Sequence, residues 1–102
     1  LRVQSGNSFQ MEAPIASVID VSPFTGKVRG WGVHGGDGTW LVNGTSKNIV
    51  AIRFDPPAKA TMSAGPMSGT VPVTELRISV DDPSSLIAAI AAAHRTTPPN
   101  DR

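Results

Sequence analysis

The sequence predicts an α+β fold: a curled antiparallel sheet of about seven short strands, a partly open barrel or sandwich, capped by one C-terminal helix. Three observations predict it. Short runs of alternating apolar and polar residues recur as far as Val80, separated by clusters of Gly, Pro, Asn and Asp. Behind Asp82-Pro83 the apolar spacing changes from that of a strand to that of a helix. The chain has 102 residues, 39% hydrophobic and 17% charged, the size and composition of one domain. Such a domain buries roughly two thirds of its unfolded surface, enough for a modest core and little more.

Composition also excludes. Nine Lys/Arg against eight Asp/Glu leave a formal charge of +1, so bulk electrostatics predicts no nucleic-acid partner. The absence of Cys removes disulfides, thiolate nucleophiles and Cys-zinc sites together. No apolar run approaches the ~18 residues of a membrane-spanning helix, which predicts a soluble domain. An apolar strand at Leu1, with no Met and no leader, predicts a processed or excised part of something longer.

The elements follow in order. Leu1 and Val3 alternate with Arg2 and Gln4; after Ser5-Gly6-Asn7, Phe9, Met11 and Ala13 alternate with polar residues, which predicts a hairpin. Pro14 breaks that pairing, and residues 15–21 form a third strand ending at Ser22-Pro23. Residues 28–34 read as a glycine-laced strand around Trp31, and residues 39–42 as the next. Asn43-Gly44 is a two-residue hairpin signal, with residues 48–54 as the returning strand. Residues 55–74, with Pro56, Pro57, Pro66 and Pro72, have no period of their own and are expected to form a long loop. Residues 75–80 alternate most cleanly, with Leu76, Ile78 and Val80 on one face. Asp82 stands at an N-cap position, Pro83 at the first helical position, and residues 84–95 carry Leu86, Ile87 and Ile90 on one stripe. The expected domain spans 1–95, with a disordered tail at 96–102.

Strands in meander order followed by a helix resemble a pleckstrin-homology-like domain. The resemblance is to the bacterial domains of this kind in small actinobacterial membrane proteins. It rests on Ile15-Ala16-Ser17-Val18, Asp20-Val21-Ser22-Pro23, Gly30-Trp31-Gly32-Val33, Trp40-Leu41-Val42, Ile49-Val50-Ala51-Ile52 and Ile78-Ser79-Val80-Asp81-Asp82-Pro83. It implies a membrane-spanning segment upstream of Leu1 and a domain on the cytoplasmic side of the cell membrane. Residues 55–74 depart from the pattern, where the family's last two strands usually meet in a tight turn.

Chemistry-bearing residues are few. His34 lacks neighbouring ligands in sequence and reads as a solvated strand-end histidine, so no metal or other cofactor is expected. The glycines at 30–38 precede a strand rather than a helix, so they do not form a phosphate loop. Ser22 and Ser68 have no nucleophile setting, and Asp82 of the Asp81-Asp82 pair is explained by capping, so no enzyme is expected. Trp31 and Trp40 are expected to meet across neighbouring strands; the alternative, open above all for Trp40, is an exposed ring that anchors a partner or the membrane interface. The resemblance implies a headgroup contact at Lys27 and Arg29, with Lys47 one hairpin away, but three dispersed charges fit ordinary solvated cations equally well. The expected role is a non-enzymatic interaction module, binding a protein or peptide partner or a lipid headgroup, with Lys27, Arg29 and His34 as candidate contacts. The competing role is an assembly domain that forms a homo-oligomer through a sheet edge and binds no small ligand.

Overall fold

Residues 1–5, 9–26, 32–36, 38–43, 47–62 and 69–96 are described by the computed structural model. They form β1 (Arg2–Ser5), β2 (Phe9–Glu12), a 3-10 turn (Ile15–Ser17), β3 (Val18–Pro23), β4 (Gly32–Gly36), β5 (Thr39–Asn43), β6 (Ile49–Met62), β7 (Gly69–Ser79) and α1 (Pro83–Thr96). The α+β class stands: a sheet with one C-terminal helix.

β6 and β7 carry the architecture. They pair antiparallel in two blocks, from Ile49↔Ser79 to Arg53↔Glu75 and from Ala58↔Val73 to Met62↔Gly69, with a register slip between Arg53 and Ala58. The expected loop at 55–74 is therefore largely strand; residues 63–68 lie outside the described set. The strand pattern there is built from small residues. Ala58 and Ala60 oppose Val73 and Val71, an alternation masked by prolines gathered where the ladder is interrupted anyway. Pro56 and Pro57 sit at the slip. Pro72 has no N–H to give, and it stands where β7 has no described partner on its far edge, since β5 joins only from Glu75 onward.

The strand order is β1-β2-β6-β7-β5-β4, with β3 on the same edge of β6 as β2. This corrects the meander. β5 does not zip to β6; β7 inserts between them, antiparallel to β6 and parallel to β5, with Trp40 opposite Leu76 and Val42 opposite Ile78. Leu76, with no exposed surface, takes the centre. The sheet is also open rather than closed into a barrel, because β1 and β4 stand at the two ends of the strand path. Of the expected strand at 28–34, residues 32–34 lie in β4, which runs on to Gly36, and residues 28–31 lie outside the described set.

The expected third strand splits in two. Pro14, in extended backbone, opens a 3-10 turn in which Ser17 donates to the Pro14 carbonyl through both N–H (2.9 Å) and Oγ (2.7 Å). A register irregularity between Val18 and Asp20 then leaves Ile19 exposed.

One face of the sheet and one side of α1 enclose the core. Phe9 and Met11 of β2, Trp40 and Val42 of β5, Val50, Ile52 and Phe54 of β6, and Val73 and Leu76 of β7 cluster with Ile90 of α1; Leu86 and Ile87 are half-buried against them. The helix thus docks through the stripe the sequence marks, against β3, β6 and the 3-10 turn. Asp82 caps it: the Ser85 N–H donates to Oδ1 at 3.2 Å and the Ser85 hydroxyl to Oδ2 at 2.6 Å. Thr96 belongs to the helix, while the rest of the expected tail lies outside the described residues. β6 is covered on both faces, since Ile49 and Ala51 are buried as well, which blurs its alternation. On that second face Arg77 lies 4.3 Å above the Phe24 ring, in cation–π geometry, and Nε donates to Glu75 at 2.6 Å.

Candidate functional site

Of the residues marked by the sequence, Lys27 and Arg29 lie outside the described set. His34 sits on β4 opposite Leu41, at one end of the strand path; its side chain is likewise outside the described set. The basic group is thus neither assembled nor dispersed by the described residues. Trp40 is buried in the core, and no described residue accepts a hydrogen bond from its Nε1; Trp31 is outside the described set.

A cavity of about 400 Å³ lies at the other end of the sheet path, beside β1. Its floor is aliphatic: Val42 of β5, Ile52 of β6 and Ile78 of β7. Leu86, in the first turns of α1, closes one side, and β1 forms the opposite wall with Leu1 and Val3. Alternation puts these two side chains on the core side and leaves Arg2 and Gln4 exposed. A volume of this order suits a large side chain or a small apolar ligand.

β1 is an edge strand; among the described strands it pairs with β2 alone. Its hydrogen-bond phase follows from its first residue. The Leu1 ammonium donates to the Ala13 carbonyl and the Ala13 N–H to the Leu1 carbonyl, each at 2.8 Å, making a hydrogen-bonded pair. In an antiparallel ladder the next such pair is Val3–Met11, so Arg2 between them turns its N–H and C=O outward, along the rim of the cavity.

The outer face of β1, β2 and β6 is polar. A shallow groove of about 230 Å³ there is lined by Arg2, Gln10, Glu12, Lys59 and Thr61, among others. A third groove, of about 460 Å³, runs along the register slip past Ile19, Thr39, Arg53 and Glu75. In it Glu75 lies 4.0 Å from Arg53 and 2.6 Å from Arg77, so its carboxylate is already partnered. The Gly38 carbonyl next to it accepts from Thr74 N–H, Thr74 Oγ1 and Glu75 N–H at 2.7, 3.1 and 3.1 Å. Among the described residues no three His, Asp or Glu are grouped as a metal site, and no described helix is long and apolar enough to cross a membrane.

The cavity beside β1 is what the sequence reading missed. Leu1 and Val3 read as the first arm of a hairpin, and nothing local said that this arm would face the ends of β5 and β7. No family model, curated protein or solved structure matches this chain.

Proposed function

We propose that the chain is a non-enzymatic interaction module that takes up an extended peptide segment of a partner protein alongside β1. One observation carries the reading: an aliphatic cavity opens beside an edge strand whose outward backbone groups border it. A strand added at such an edge gains main-chain hydrogen bonds, and its alternate side chains turn towards Leu1 and Val3, over Val42, Ile52 and Ile78. The sheet with its C-terminal helix also supports kinship with pleckstrin-homology-like domains, although the parallel β5–β7 pair departs from their all-antiparallel order. On that kinship the module belongs to a membrane-tethered protein and works on the cytoplasmic side.

The test is a nuclear magnetic resonance titration with short blocked peptides alternating valine and threonine. Amide shifts in β1 together with methyl shifts of Val42 and Ile78 are the expected result. Leu86→Trp, a half-buried position on the cavity wall, should abolish binding while thermal unfolding stays cooperative. Shifts confined to β4, or binding only to anionic vesicles with loss on Lys27→Ala/Arg29→Ala, would overturn the peptide reading in favour of a headgroup role. Concentration-dependent dimerisation with no peptide binding would favour assembly.

A further inference from the structure

We propose that the incoming strand carries an acidic residue beside Arg2, flanked by an apolar residue on each side. This rests on strand uptake at β1 and adds the chemistry of the partner. Directly opposite residues on neighbouring strands share a face, so the register writes out a row across the outer face: Arg2 opposite Glu12, Glu12 opposite Lys59, Lys59 opposite Pro72. All four are exposed. The charges along this row alternate, positive, negative, positive, from the β1 edge inward. A strand added outside β1 extends the row by one position, and the position beside Arg2 favours a carboxylate. A cation there would meet Arg2 directly.

The pleat then fixes the neighbours. The peptide residues on either side of the acidic one turn to the opposite face, towards Leu1 and Val3 and the aliphatic floor of Val42, Ile52 and Ile78. The ligand is therefore an apolar-acidic-apolar segment in extended form. A second copy of β1 pairing about Val3 would set Gln4 beside Arg2, a neutral contact, so charge complementarity favours a foreign acidic segment over self-pairing.

The experiment uses three blocked peptides that differ only at a central polar position, occupied by glutamate, glutamine or lysine, titrated into the whole chain and into Arg2→Glu and Arg2→Gln. Arg2 is exposed, so both variants should fold, as checked by circular dichroism. The glutamate peptide should bind about fivefold more tightly than the lysine peptide. Arg2→Gln should level that preference and Arg2→Glu reverse it. In about 1 M salt, where the screening length falls to ~3 Å, the preference should vanish while binding through the cavity remains. Equal affinity for all three peptides, with shifts still centred on β1, overturns the acidic partner and leaves strand uptake standing. A glutamate preference that survives Arg2→Glu also overturns it. Failure of every peptide to bind removes the underlying uptake instead.

Discussion

Replacing Ile90 by Ala tests whether α1 is held to the sheet by the side chains that the helical stripe marks. Ile90 is 4% exposed, the most buried of the described side chains of the helix, and it joins the cluster that contains Val18, Ile52 and Phe54. The substitution removes three buried carbons, worth roughly 2.4 kcal/mol at ~0.8 kcal/mol each, before any residual cavity is counted. Alanine returns a few tenths of a kcal/mol through its higher helix propensity. The expected loss is about 2–4 kcal/mol, a large share of a small domain's stability. With a urea slope of about 2 kcal/mol/M, the unfolding midpoint should fall by roughly 1–2 M, followed in parallel by far-ultraviolet circular dichroism and tryptophan fluorescence. Ala89→Ser, on the exposed side, is the control and should change little. A loss below ~0.5 kcal/mol for Ile90→Ala, or equal losses at both positions, would refute the docking of α1 through this side.

Three further outcomes follow from the geometry. The Asp82 carboxyl is held below its ordinary value, chiefly by the Ser85 hydroxyl and also by backbone N–H groups. Its stabilisation is therefore present above the unfolded pKa near 3.8 and disappears as pH falls through the lowered folded value. The melting-temperature gap between the parent and Asp82→Ala should accordingly shrink below about pH 4. Gly38 has φ +86°, and a Cβ there would meet Thr74 Oγ1 at 2.6 Å, so Gly38→Ala should cost about 1–3 kcal/mol in denaturant unfolding. Glu75→Gln removes the carboxylate shared by Arg53 and Arg77 and should cost about 0.5–1 kcal/mol at low salt, less at high salt, in the same assay.

The helix was legible because its signals are local and agree: cap, Pro at the first position, and a stripe of Leu86, Ile87 and Ile90. So were β1 and β2, where apolar and polar residues alternate, and β5, a short apolar run of Trp40, Leu41 and Val42 between turn residues. The distal arm of β6 was hidden because its inward residues are Ala58 and Ala60, too small to mark a period, and that of β7 because Pro72 between Val71 and Val73 reads as loop even on an edge with no described partner. Strand order was hidden for a different reason. Asn43-Gly44 proposes a hairpin from neighbours in sequence, whereas Leu76 and Ile78 decide its fate from some thirty residues away, by needing cover on both sides. The cavity beside β1 shares that origin: its floor comes from Val42, Ile52 and Ile78, and its two walls from Leu1 and Val3 at one end of the sequence and Leu86 towards the other.

The parallel seam of β5 and β7 has a kinetic corollary. A turn at Asn43-Gly44 can close within microseconds, well before the strand after residue 68 has found its place. Whatever pairs early across that turn must part again to admit Leu76 and Ile78. Folding should therefore be paced by a wedge entering a seam that has already begun to heal, and variants that stiffen the turn should slow folding even where they leave the finished molecule no less stable.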